Sequence, residues 1–305
     1  MISLKKLQRI IAQKKWKYKV SAHIGTKIRN EVYVLLHRKS VIVVDGWLVK
    51  FYKKNSLVSN WGDDINVYFL EMISGKRVVP AQALFFPKWR KKYCCIGTII
   101  PQCMSRKSVV WGSGYGLVDK SLGFHPAEVK CVRGPLTRDF LIKNNVNCPE
   151  IYGDPALLLP LYYKPKSLPH KKVGLIPHHH DWDCEVDKKI ALPDDWRMIN
   201  VVGYDKWTDI IDQICSCELI LSSSLHGLIV SDAYRIPNVF TEFEAHHHNY
   251  IKFQDYFLSV NRKPYKPIQY DSILDFSQIE IFAIESIGNV RIDANQIKSV
   301  CPFLI

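Results

Sequence analysis

The chain has 305 residues, 47% hydrophobic and 12% aromatic, which excludes wholesale disorder and suits two domains better than one. With 42 Lys and Arg against 29 Asp and Glu it carries a net charge of +13, so nucleic acid, anionic lipid and a phosphorylated small substrate are the partners charge allows. No apolar run has the length of a membrane span, the basic start lacks the apolar core of a signal peptide, and nine scattered cysteines include no CxxC pair; a cytoplasmic protein with reduced thiols is expected.

Residues 1–22 form the first unit, an expected basic helix. It carries Lys5, Lys6, Arg9, Lys14, Lys15, Lys17 and Lys19, and Ile2, Leu4, Leu7, Ile10, Ile11 and Trp16 share much of one face. Such a helix lies on anionic lipid, or docks on the protein body with its basic face solvated. Nucleic acid is disfavoured, because neither a recognised binding motif nor aromatics interleaved with the charge are present.

An α/β domain is expected over 23–163, with strands at 41–44, 93–100 and 108–111 and helices at 63–73 and 135–143. The stretch 150–159 starts as a strand, and 161–172, with two prolines and five basic side chains, reads as a linker. A second α/β domain over 164–270 has strands at 173–176, 198–202, 218–221 and 238–243, with helices at 207–215 and 225–234. The tail, 271–305, has helical stretches near 275–285 and 293–300, and packing back on the N-terminal domain is the expectation for it. The fold class is therefore α/β, with two Rossmann-like domains facing a cleft where a substrate would be enclosed.

Several segments combine small and chemically active residues at expected element ends. Asn60, Gly62, Asp63 and Asp64 lie just before a helix; an aspartate there is an N-cap or a general base beside a substrate loop. Gly112, Ser113 and Gly114 follow a buried strand and could turn backbone N–H groups toward an anion. No Gly-Lys-Ser/Thr follows, which excludes a Walker loop. Arg133 ends a strand and Arg138 enters a helix, and either guanidinium could fork a carboxylate or phosphate. Arg138 could equally pair with Asp139 or Asp154.

His178 opens a histidine triplet after a strand, and a second triplet occupies 246–248. Adjacent side chains on an extended chain diverge, so no metal is assigned to either. In ELILSSSLHGLIVSDAYRIPNVF, an apolar strand ends at Ser222, Ser223 and Ser224, and a helix starts at Leu225, His226 and Gly227. That is where ligands bind in open α/β sheets, and free N–H groups and the helix dipole attract anions there. The same serines could simply cap the helix.

In serial order, NWGDDIN, GSG, VRGPLTRDFL, YGDPALLLP, the Pro177-His178 pair and SSSLHGLIVSDAYRIPNVF resemble the polysaccharide pyruvyl transferase family across roughly residues 55–243. The flavour is that of exopolysaccharide ketal-pyruvate transferases. The resemblance implies a GT-B-like fold and transfer of pyruvate from phosphoenolpyruvate to two hydroxyls of one sugar, giving a cyclic ketal and phosphate. Acceptors of that kind are surface glycans or lipid-linked oligosaccharides, which would place the protein at the inner membrane face. It also implies that Arg133 grips the donor's anionic groups and that His226 is the acid or a cationic phosphate partner, with Asp63 or Asp64 as base. No nucleotide, metal or redox cofactor enters this scheme. Some members carry arginine just before Leu-His; Ser224 stands there, so Arg138 or Lys172 is expected to supply the missing cation. A GT-B glycosyltransferase using a nucleotide sugar and a non-catalytic sugar- or membrane-binding relative are the competing readings.

Overall fold

The structure is a computed structural model that describes residues 24–52, 60–116, 121–122, 124–183, 185–243, 250–272 and 276–304. The expected basic helix over 1–22 and the second histidine triplet lie outside the described residues.

The first half is built on β1 (Val41–Asp45), β2 (Arg77–Pro80), β3 (Lys92–Cys94), a short β4 (Thr98–Ile100), β5 (Ser108–Trp111), β6 (Gly114–Tyr115) and β7 (Glu128–Cys131). Five of these make a parallel sheet in the order β2-β1-β3-β5-β7, and β4 pairs with β6 alone. The second half contains β8 (Lys171–Ile176), β9 (Trp196–Met198), β10 (Cys217–Ser222), β11 (Asn238–Glu242) and β12 (Ile268–Gln269), parallel in the order β12-β11-β10-β8-β9. Each sheet thus has the doubly wound order 2-1-3-4-5 when its own strands are numbered from one. Strand order reverses beside the first strand of each half, so one switch point lies between β1 and β3 and another between β8 and β10. Both are flanked by strand carboxyl ends, where open α/β sheets place ligands.

The helices are α1 (residues 24–36), α2 (Val49–Tyr52), α3 (Trp61–Ser74), α4 (Pro135–Lys143), α5 (His179–Asp183), α6 (Val186–Lys189), α7 (Trp207–Cys215), α8 (Leu225–Ala233), α9 (Ile251–Ser259), α10 (Phe276–Gly288) and α11 (Ala294–Ser299). Asn60 caps α3 by accepting the Gly62 N–H at 3.2 Å, and Gly75 ends it with a left-handed φ of 63°. Pro135 opens α4 at a position where its missing N–H costs nothing. No described helix is long and apolar enough to cross a membrane.

Three expectations shift. Residues 150–159 do not form a strand: only Tyr152 bridges to Val132, and Pro155–Leu161 is a 3₁₀ turn. Pro155 and Pro160 withhold two of the N–H groups a ladder would need. The strand expected at 198–202 ends at Met198, and α9, β2 and β7 were not anticipated.

The largest hydrophobic cluster runs through both halves, from Val44, Trp61 and Phe69 to Ile220, Leu228 and Phe257. Trp61 donates its indole N–H to the Trp207 carbonyl at 2.7 Å, and its backbone N–H reaches the Val201 carbonyl at 2.9 Å. At the chain end, Trp111 donates to the Ile297 carbonyl at 3.1 Å, and Phe303 packs edge-on against Trp111 and Tyr93.

Candidate active site

The β10–α8 turn is held by its own serines. Ser222 Oγ accepts the Ser224 N–H at 3.0 Å. Ser223 Oγ donates to Asp181 Oδ2 at 2.6 Å and accepts the His178 N–H at 2.7 Å, tying the β8 loop to the β10 loop across the switch point. All three serines are buried, and the Ser224 side chain does not cap α8. The first N–H groups of α8, on Leu225, His226 and Gly227, therefore keep the unsatisfied donors and positive dipole end that suit an anion. Gly227 serves packing: a Cβ there would strike Ser222 Oγ and Ile176.

His226, 7% exposed, lies in that first turn. Its ring packs on Gly62 so closely that any side chain at Gly62 would run into it. Its Nε2 lies 3.7 Å from Asp154 Oδ2. The N-terminus of α3 and the N-terminus of α8 thus meet.

Asp63 and Asp64 part company in this geometry. Asp64 is buried and accepts the Tyr204 hydroxyl at 2.6 Å, which makes it a strut between the halves. Asp63 faces the His226 side, holds the Asn60 amide at 2.7 Å and lies against Gly97. Asp63 is half-buried, and desolvation pushes its carboxyl up to about 6; Asp64 adds to the rise, while His226, the Asn60 hydrogen bond and Lys252 oppose it.

Lys252, in the first turn of α9, is the cation that sequence reasoning missed. Burial, then Arg133, draws its ammonium down to about 8, while Asp63 and Asp181 pull the other way. The cations expected to replace the family arginine lie elsewhere. Arg138 pairs with Glu150 at 3.1 Å and donates to the Cys148 carbonyl, and Lys172 stacks over Phe276.

Arg133 has a different place from the one expected. It is fully buried, ion-paired to Asp255 at 3.2 Å, and donates to Thr98 Oγ1 at 2.7 Å and to the Tyr115 carbonyl at 3.1 Å. Thr137 adds two more bonds to Asp255, from its N–H at 2.9 Å and its hydroxyl at 2.6 Å. The RGPLT segment is thereby a clamp on α9, one helical turn beyond Lys252. The glycine-serine-glycine segment is likewise structural. The Gly112 and Gly114 N–H groups are bonded to the Cys131 and Gly97 carbonyls at 3.0 Å each. A Cβ at Gly112 would strike Pro155, and one at Gly114 the Arg133 guanidinium. These glycines exist to let side chains pass rather than to face an anion.

The extended-chain geometry expected for His178 to His180 also fails, because α5 begins at His179. Their ligand nitrogens gather within 4.8 Å of one another, a set that could hold a divalent transition metal.

A sequence profile of the polysaccharide pyruvyl transferase family matches residues 104–242, a span that holds Arg133, Asp154, His178 and His226 but not Asp63. The chain is 26% identical over 214 residues to the uncharacterized protein L143 of Acanthamoeba polyphaga mimivirus, covering 68% of this chain and 74% of that protein. It is 30% identical over 209 residues to the succinoglycan biosynthesis protein ExoV of Rhizobium meliloti (strain 1021), covering 62% of this chain and 58% of the length of ExoV. No solved structure matches the chain. By these matches the chain is similar to the polysaccharide pyruvyl transferase family over residues 104–242, a little under half of its length.

Proposed function

We propose that the protein moves pyruvate from phosphoenolpyruvate to two hydroxyls of a sugar in a surface polysaccharide or its lipid-linked precursor, forming a pyruvate ketal. The observation that carries this reading is the meeting of His226, at the uncapped start of α8, with Gly62 and Asp63 at the start of α3. On this reading, proton donor, proton acceptor and anion-binding backbone serve one site between two sheets of a GT-B-like fold.

The chemistry assigns each group a task. The α8 N–H groups and Lys252 hold the carboxylate and phosphate of the donor, with Lys252 in the role of the arginine that some relatives carry where Ser224 stands. His226 delivers a proton to the methylene carbon of the enol, and Asp63 removes a hydroxyl proton from the acceptor. Arg133 acts at one remove, by clamping the helix that carries Lys252. ExoV, a succinoglycan biosynthesis protein, supports a polysaccharide acceptor. The scheme needs no nucleotide, metal or redox cofactor.

The test is product analysis with phosphoenolpyruvate and lipid-linked or soluble glycan acceptors. Acceptor-dependent release of inorganic phosphate, with a mass gain of one pyruvate ketal on the glycan, is the expected result. Nucleoside diphosphate release from a nucleotide sugar, with no phosphate from phosphoenolpyruvate, would replace the reading with a glycosyltransferase.

A further inference from the structure

Asp154 is the buried acid of the YGDP segment, and neither the motif's spacing nor the family match gives it a task. It is fully buried at the start of the 3₁₀ turn Pro155–Leu161, which packs against α8. Its Oδ1 accepts the Ala156 N–H at 2.9 Å. Its Oδ2 has no hydrogen-bond partner and lies 3.7 Å from His226 Nε2, which is also buried and also without one. Two buried polar atoms that face each other with no other partner are each costly until they pair. A carboxylate only accepts, so the proton of this pair belongs on Nε2.

We propose that Asp154 is the positioning residue of His226. Its Oδ2 receives the Nε2–H, fixes the ring's orientation and tautomer, and leaves Nδ1 as the atom that exchanges protons with substrate. Closure from 3.7 Å to a charge-assisted bond of about 2.7–2.9 Å needs only a small movement of the ring. Gly62 has no side chain, and any Cβ there would fill the space at Nδ1.

This rests on the pyruvyl-transfer reading, and the step it serves balances as follows. The Nδ1–H bond breaks and a C–H bond forms at the methylene carbon, using the π pair of the enol. The first acceptor hydroxyl adds to the adjacent carbon, and its proton passes to Asp63. Phosphate then leaves with the C–O pair, the second hydroxyl takes its place, and that hydroxyl's proton departs on phosphate. Nδ1 regains its proton from Asp63 through solvent. Throughout, Nε2–H stays on Asp154 and supports the charge on the ring, the arrangement known from histidine-carboxylate pairs in acyl transfer.

The experiment combines ¹⁵N NMR of histidine-labelled protein with kinetics of Asp154→Asn. Asparagine keeps the shape and the cap on Ala156 but offers an N–H to Nε2, which forces the neutral ring to carry its proton on Nδ1. With His226→Gln used to assign the signal, neutral His226 is expected as the Nε2–H tautomer in the wild type and as the Nδ1–H tautomer in Asp154→Asn. The kcat for phosphate release is expected to fall about 100- to 10,000-fold, with KM for phosphoenolpyruvate within about threefold. A wild-type ring protonated on Nδ1 overturns the proposal without any variant, and so does a folded Asp154→Asn with unchanged kcat. Failure of wild-type protein to release phosphate would remove the pyruvyl-transfer reading, while the tautomer still decides the pair.

Discussion

At the scale of single residues, the proposed mechanism makes Asp63 and Lys252 set the pH window. Asp63, raised to about 6, is a competent base only when ionised, so turnover is expected to rise with pH through that value. Lys252, lowered to about 8, holds an anion only when protonated, so turnover is expected to decline above it. The kcat/KM profile should be a bell between these limits, with apparent values that belong to the coupled pair. Lys252→Arg should erase the alkaline limb, because a guanidinium stays charged across the range. A profile flat from pH 5 to 9 would remove both residues from the chemistry. The sign for stability is opposite to that of an ordinary ion-paired acid. The folded state favours protonated Asp63, so this group's contribution weakens as pH rises from about 4 to about 6. Arg133 belongs to stability too. Arg133→Ala would strand Asp255 in the core and is expected to cost about 3–5 kcal/mol in chemical denaturation, whatever its effect on activity. Sequence alone singled out His226, Asp63 and the serine-rich turn as candidates, because small and polar residues after apolar runs mark strand carboxyl ends. It could not separate Asp63 from Asp64 or see Arg133 turn inward, since those outcomes depend on Tyr204 and Asp255, partners 140 and 122 residues away.

At the scale of elements, hydrophobic period located α3, α4, α7 and α8, which all begin within two residues of the expected place. Phe253, Tyr256, Phe257 and Val260 carry the same helical spacing and could have revealed α9, and with it Lys252. β2 and β7 were harder, being four residues each with little apolar contrast against their flanks. One short element bears on the acceptor. The 3₁₀ turn Pro87–Trp89 leaves Trp89 83% and Phe86 63% exposed, flanked by the exposed cations Lys88 and Lys91. Arg90 pairs with Glu31 of α1, and the Lys27 ammonium sits 5.7 Å from the Phe85 ring, so the turn is held against that helix. Exposed aromatics among cations suit the headgroup region of an anionic bilayer. Flotation with anionic vesicles is expected to carry the protein, and the Phe86→Ala/Trp89→Ala pair to weaken partitioning about tenfold, equivalent to about 1.4 kcal/mol. Equal flotation of the variant would discard this turn as a membrane contact.

At the scale of the whole molecule, the two sheets repeat one strand order, yet they share a core. Trp61 is fully buried and reaches the second half through both its indole and its backbone N–H groups. Asp64 bonds Tyr204, and the glycine beside it seats His226. The alternation of strands and helices made the two halves readable in sequence. The shared core was not, because buried residues at equal spacing look the same whether they face their own sheet or the neighbouring half. Such a core couples the halves energetically, and unfolding is expected to be one transition, with tryptophan fluorescence and far-ultraviolet circular dichroism giving the same midpoint in urea. On the proposed reading the donor binds where the halves meet, so phosphoenolpyruvate at about 100 times its Kd should add about 2.7 kcal/mol to that single transition. Two separated midpoints, with ligand shifting only one, would show instead that the halves fold as independent units and that the donor touches one of them. The Asp64–Tyr204 strut is where that distinction is sharpest. Tyr204→Phe removes one interhalf hydrogen bond to a buried carboxylate, so it should lower the common midpoint rather than split it.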